Sequence, residues 1–133
     1  MVYANFILGF PGDSFATMQK TIDFALDMNP DVANFMIALP FPGTELYEEI
    51  KSKGRFLYPI EEGVEGGFYA NRVFFEIGSL QEEEVKFYYR KAYKDFYLRL
   101  RWIWRSLKNI HSVNEIVWHI EAATELMKNI FKR

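Results

Sequence analysis

The sequence predicts an α/β protein, and three observations carry that reading. Two apolar runs, Val2–Leu8 and Val32–Leu39, each end in a Gly/Pro turn; a helical stripe separates them; and much of the chain after Thr44 has the pattern of helix. The first part is thus one β-α-β unit, its crossover long enough for a right-handed parallel connection.

The first run, Val-Tyr-Ala-Asn-Phe-Ile-Leu, is nearly continuous in apolar residues. Continuity, as opposed to alternation, predicts a strand covered on both faces, as in parallel sheets. It starts almost at Met1, so the expectation is of an upstream strand partner, in a longer chain or in another one. Gly9-Phe10-Pro11-Gly12 then turns the chain, Pro11 fixing its own φ and the glycines allowing positive φ or close approach by a ligand. Asp13 or Ser14 caps a helix whose apolar stripe is Phe15, Met18, Ile22, Ala25 and Leu26. Asn29-Pro30 ends it, because the residue before proline avoids the helical region. Val32–Leu39 repeats the doubly buried strand pattern and leads to Pro40-Phe41-Pro42-Gly43.

Thr44 caps a short helix with Glu45, Glu48 and Glu49 near its start, and Gly54 ends it. Phe56 to Asn71 reads as irregular, and Arg72–Ile77 as a short strand. Glu61, Glu62 and Glu65 lack a histidine or a fixed spacing and read as a solvated loop. Ser79-Leu80-Gln81-Glu82 has the form of a capping box opening the longest helix, to about Leu107. Val85, Tyr89, Ala92, Phe96, Leu100, Ile103 and Leu107 form its core stripe, with Tyr93, Tyr97 and Trp104 on the border. Beside them Lys86, Arg90, Lys94, Arg101, Arg105 and Lys108 fall on one arc, unless a bend near Leu98–Leu100 breaks it. That arc reads either as a solvated face or as a surface for an acidic partner or an anionic membrane. A second capping box, Ser112-Val113-Asn114-Glu115, opens a last helix and predicts an antiparallel helical hairpin.

Composition removes several function classes. Of 133 residues 50% are hydrophobic and 18% aromatic, enough for a core, and the net charge of −2 argues against general nucleic-acid binding. The chain has no cysteine, which excludes disulfides, thiolate zinc sites and an iron–sulfur cluster held by this chain. Residues 1–15 lack the pattern of a secretory leader, and no uncharged run reaches the ~18–20 residues of a membrane span, so a soluble cytoplasmic chain is expected. No Gly-Lys-Ser/Thr follows the Gly9–Gly12 turn, His111 and His119 make no metal pair, and no Gly-x-Ser-x-Gly elbow occurs. Metal and catalytic residues are therefore expected to be absent. In open α/β sheets and β/α barrels ligands sit at the carboxyl ends of strands, which puts Gly9–Gly12 and Ala38–Gly43 on one rim. From spacing alone these read either as that rim or as plain turns.

Two segments taken together go further. Asn5–Ser14, followed by Thr21–Ala25 and Asn29–Asp31, and then Leu39-Pro-Phe-Pro-Gly-Thr-Glu-Leu-Tyr47, resemble radical S-adenosylmethionine enzymes. The resemblance is nearest to the cobalamin-binding branch that includes the anaerobic magnesium-protoporphyrin monomethyl ester oxidative cyclases. It covers residues 2–54 well, and Phe74–Ile77 with Phe96–Arg99 less specifically. It implies a fragment of a partial β/α barrel over residues 1–54, a connecting stretch over 55–78 and a helical region over 79–133. Val2–Leu8 and Val32–Leu39 would be its fifth and sixth strands. It further implies that Gly9, Phe10, Pro11, Gly12, Ala38, Leu39 and Pro40 face the adenosine of S-adenosylmethionine. The [4Fe–4S] cluster and cobalamin of that family would belong to upstream parts that this sequence lacks. The expectation is a C-terminal part of such an enzyme, inactive alone, that self-associates through exposed strand edges. The competing reading is a non-catalytic module whose basic helix binds a protein or membrane.

Overall fold

The computed structural model describes residues 2–60 and 72–108, with side chains to 104. The expected helical hairpin, its Ser112 capping box, both histidines and the three loop glutamates lie outside the described residues, as do the side chains of Arg105, Leu107 and Lys108.

Strand β1 (Tyr3–Leu8), helix α1 (Phe15–Met28) and strand β2 (Val32–Ile37) form the expected crossover unit, the strands pairing in parallel with Tyr3 against Val32 and Leu8 against Ile37. Helix α1 starts where Ser14 Oγ accepts the Thr17 N–H at 3.3 Å and Thr17 Oγ1 accepts the Ser14 N–H at 2.8 Å. It ends at Asn29, which adopts the left-handed conformation at φ 49°, and Pro30 forbids a further turn. Helix α2 (Glu45–Lys53) is capped by Thr44 as expected. Gly54 ends it with extended backbone and opens strand β3 (Gly54–Phe56), where a Cβ would stand 2.5 Å from the Glu76 carbonyl oxygen. Strand β3 pairs antiparallel with β4 (Phe75–Ile77), so the stretch after residue 54 holds a strand that the sequence reading missed. Val73, Phe74 and Phe75 are buried and belong to the core.

Helix α3 (Glu82–Tyr97) packs its Val85, Tyr89, Ala92 and Phe96 stripe on α1 and the sheet, as expected. Its cap differs from expectation. The start is Gln81, whose N–H lies 3.4 Å from Glu84 Oε2, two residues after the expected Ser79 box. The cause is a tight turn at Gly78, φ 58°, that brings the Leu80 N–H to the Ile77 carbonyl and buries Leu80. Glu76 Oε1 accepts the Glu82 N–H at 2.9 Å, and so β4 itself caps α3.

The helix does not run unbroken to Leu107. Leu98 departs from helical geometry at ψ 3°, and helix α4 (Leu100–Lys108) follows. Across this break Arg99 Nη1 donates to the Leu26 carbonyl at 3.1 Å and Trp102 Nε1 to the Asp31 carbonyl at 3.1 Å. The bend thus docks two side chains on the corner where α1 ends. It also takes Leu100, 74% exposed, off the core stripe.

The core centres on Phe35, stacked on Phe6 at 5.3 Å and edge-on to Tyr93 and Phe96 at 5.4 and 6.1 Å. Truncating such a ring to alanine costs about 3–5 kcal/mol. One expectation about the sheet is overturned. Phe6, Leu8, Ala33 and Phe35 are buried under α1 and α3, but Ile7 on the opposite face is 50% exposed and Asn5 is exposed. Among the described residues the sheet is covered on one face, because both packed helices lie on the same side.

Candidate functional site

Parallel pairing brings the carboxyl ends of β1 and β2 together: the Ala38 N–H donates to the Leu8 carbonyl at 2.9 Å. The Gly9–Gly12 and Ala38–Gly43 turns therefore leave the sheet side by side. Between them, on the open face, lies an apolar cavity of about 180 Å³. Its walls include Phe10, Ala38 and Leu39 from the residues expected to contact a nucleoside. Ile7 and Met36 of the open face, Leu46 of α2, and Phe74 and Arg72 before β4 complete much of it. Gly9, Pro11, Gly12 and Pro40 stand outside its lining.

The first turn is held from within. Asp13 Oδ2 accepts the N–H groups of Gly9 and Phe10, each at 3.0 Å, and Thr17 Oγ1 donates to Asp13 Oδ1 at 2.8 Å. Gly9 has φ +77°, and a Cβ on it would come 2.9 Å from Val85 Cγ1. The close approach that this glycine permits is to helix α3. Pro40 is likewise buried in the protein. The loop thus presents the Phe10 side chain to the cavity while two of its amides serve its own architecture.

Arg72 lies at the cavity with its guanidinium carbon 4.6 Å above the Tyr58 ring, a cation–π contact. The remaining walls are almost wholly aliphatic or aromatic. They favour a flat apolar group, with one cation in reach. Among the described residues no group of three or more His, Cys, Asp or Glu is placed to hold a metal ion.

The basic arc of the helical region is interrupted. Lys86 Nζ lies 2.7 Å from Glu82 Oε1 and 3.5 Å from Glu83 Oε1, and the hydrogen bond to Glu82 holds the ammonium above its ordinary pKa. Lys94 and Arg101 are exposed, but they stand on separate helices either side of the Leu98 break; Arg90 is half-buried. No helix among the described residues is long and apolar enough to cross a membrane.

Two residues that the sequence placed on the border of the helix are buried against the sheet. Tyr93 and Tyr97 bring their hydroxyls to the backbone of Phe35 and Ala33. Burial pushes the Tyr97 hydroxyl up to about 12.

Comparison with known proteins places these motifs. The chain is 32% identical to an uncharacterized methyltransferase of Pyrococcus horikoshii over 101 residues, 71% of this chain and 20% of that protein. It is 36% identical to the anaerobic magnesium-protoporphyrin IX monomethyl ester cyclase of Rubrivivax gelatinosus over 50 residues, 38% of this chain and 9% of the cyclase. It is 40% identical to the bacteriochlorophyllide d C-12(1)-methyltransferase of Chlorobaculum tepidum over 54 residues, 41% of this chain and 12% of that enzyme. The matches span about a fifth or less of the length of these relatives. No family model matches the chain, and no solved structure does.

Proposed function

We propose that this chain, a partial homologue of radical S-adenosylmethionine enzymes, supplies two staves of a β/α-barrel wall and receives the adenosine part of S-adenosylmethionine at the carboxyl ends of β1 and β2. The observation that carries this reading is the one-sided cover of the sheet. In a β/α barrel the helices pack outside the strands and the other face looks into the lumen. Here α1 and α3 cover the Phe6 and Phe35 side, while Asn5 and Ile7 stand on the open side. The apolar cavity lies at the carboxyl end of that open face, the rim on which such barrels carry ligands.

The cavity fits part of the cofactor. At about 180 Å³ it is smaller than the ~300–1,000 Å³ of sites that enclose a whole drug-sized ligand. Phe10, Leu39 and Met36 of its lining would contact a flat heterocycle held there. Because the Gly9 and Phe10 amides bond to Asp13, the contribution of that turn is shape and apolar cover. The chain holds no cysteine, so its residues do not fit an iron–sulfur cluster and no radical step is assigned to them. Nor is cobalamin assigned to any residue here. The function proposed is binding without catalysis by this chain alone, as part of a cyclase- or methyltransferase-type assembly.

Calorimetric titration with S-adenosylmethionine, and with S-adenosylhomocysteine in parallel, tests the reading. Saturable binding of both ligands is expected, and Met36→Lys, which puts a charge in the cavity wall, abolishes it. Absence of binding to the unaltered chain, or binding that survives Met36→Lys undiminished, removes the nucleoside site.

A further inference from the structure

The break at Leu98 takes α4 off the line of α3 and changes which of its sides meets the protein. Trp102 docks, its indole N–H donating to the Asp31 carbonyl at 3.1 Å. Successive helical residues turn by ~100°, so Leu100, Ile103 and Trp104 form a row turned away from Trp102, at the three- and four-residue steps of one helix face. Leu100 and Trp104 are 74% and 63% exposed, and Leu98 at the break is exposed as well. Arg101 is exposed, and Arg105 and Lys108 follow it four and seven residues on, so a basic row runs beside the apolar one. The segment Leu-Arg-Trp-Ile-Trp-Arg-Ser-Leu-Lys contains no acidic residue.

We infer that α4 is a membrane-surface helix: its Leu100, Ile103 and Trp104 row enters the boundary between headgroups and acyl chains of an anionic bilayer, and its basic row meets the lipid headgroups. The argument is charge complementarity together with layering. Leu and Trp on one side of a helix, with Arg and Lys beside them, is the pattern that lies in a lipid interface. A bilayer offers the same two chemistries in the same order, an anionic layer directly above an apolar one. Trp104 suits that boundary, since indole joins an apolar body to one N–H donor. Nine residues rise only ~14 Å, well short of the ~30 Å of a hydrocarbon core, so the helix lies on the surface and does not cross it. A stable protein interface buries ~800 Å² on each partner, more than a row of two helical turns supplies. Shallow insertion of a few side chains, reinforced by three cations, needs no such area.

The position of α4 keeps this contact apart from the cavity. Trp102 docks at Asp31, just before the amino end of β2, whereas the cavity is lined by Ile37, Ala38 and Leu39 at the carboxyl end. A six-residue strand, ~20 Å long, separates the two. The inference therefore does not depend on nucleoside binding, and a failed ligand titration leaves it intact.

Co-sedimentation of the full chain with lipid vesicles tests it. Vesicles of mixed phosphatidylglycerol and phosphatidylcholine are compared with vesicles of phosphatidylcholine alone, at low and at high salt. The expected result is binding to the anionic vesicles only, weakened by salt, with tryptophan emission moving to shorter wavelength as the chain binds. Leu100→Asp/Trp104→Asp removes the apolar row and Arg101→Glu/Arg105→Glu reverses the basic one, and each should weaken binding by about tenfold or more. Because Leu100, Trp104 and Arg101 are exposed, the urea midpoint and the sedimentation of the lipid-free chain should stay as they were in the first variant. No binding to anionic vesicles, equal binding to neutral ones, or binding that Leu100→Asp/Trp104→Asp leaves undiminished overturns the inference. So does a fall in that variant's urea midpoint, or the loss of a dimer, without lipid: the row would then be covered by protein, either residues 112–133 or a second copy.

Discussion

The Asp13 carboxylate and the Gly9 amide, 3.0 Å apart, close the turn at the carboxyl end of β1. The same oxygen takes the Phe10 amide, and the other oxygen takes the Thr17 hydroxyl. One side chain thereby ties strand end, turn and helix start together. Asp13→Ala leaves two amides dependent on water, and a single hydrogen bond to a charged group is worth about 1.5–3 kcal/mol, so a loss of at least that order is expected. Urea denaturation should show a lower midpoint with unchanged slope, and Asp13→Asn should recover part of the loss. An Asp13→Ala chain as stable as the parent would mean that the turn is held by Pro11 and packing alone.

Gly9 gives a second, separable test. Its φ of +77° disfavours any L side chain, and its hydrogen atom faces Val85 where a Cβ would lie 2.9 Å from Cγ1. Gly9→Ala should cost about 1–3 kcal/mol from backbone strain, with the clash in addition. Combining it with Val85→Ala removes the clash but not the strain. The double variant should therefore be less destabilised than the sum of the singles, a coupling that a thermodynamic cycle measures. Strict additivity would place α3 farther from the turn than the structure has it.

Glu76 joins three elements through one carboxylate. The Glu82 N–H, first, and the Arg55 guanidinium, at 2.9 and 2.6 Å, hold its pKa below the ordinary 4.5. A depressed folded-state value means that this contribution is fully present above 4.5 and is lost as pH falls through the lower folded value. Glu76→Gln should flatten part of the acid limb of the stability–pH curve while leaving the neutral-to-basic limb in place. An acid limb identical in both proteins would show that Glu76 ionises alike folded and unfolded.

Much of this architecture was legible locally. Ser14, Asn29-Pro30 and Thr44 marked helix ends through chemistry confined to a few residues, and the two apolar runs marked the strands. What escaped was non-local. Continuity of apolar residues in β1 suggested cover on both faces, yet Tyr3 and Ile7 are exposed, because a run of apolar side chains does not say which neighbours are present. Three-residue β3 is too short to carry a period, and Gly54 looked like a helix end because it is one as well. Ser79 has the right chemistry for a cap, but the Gly78 turn shifts the helix start to Gln81. Of the cavity, Phe10, Ala38 and Leu39 followed from the turns. Ile7 and Met36 were available from strand parity, whereas Arg72 and Phe74 arrive from a distant segment that no local pattern ties to the rim.

The tyrosine pair predicts an alkaline limb. Tyr97 must keep its proton to donate to the Ala33 carbonyl, and burial, its largest perturbation, raises its pKa from 10.0 to about 12. Burial raises Tyr89 as well, in the same direction. Below pH 10 both folded and unfolded chains hold the Tyr97 proton, and its contribution is complete. Between 10 and 12 the unfolded chain gives up the proton while the folded chain retains it, so stability falls as pH rises. Tyr97→Phe should lower stability at neutral pH, since two edge bonds are lost, but should then lose less on going to alkaline pH. The unaltered and variant curves should converge above pH 10. Urea midpoints measured across that range decide the matter: parallel curves would mean that the Tyr97 hydroxyl titrates as freely in the folded chain as in the unfolded one.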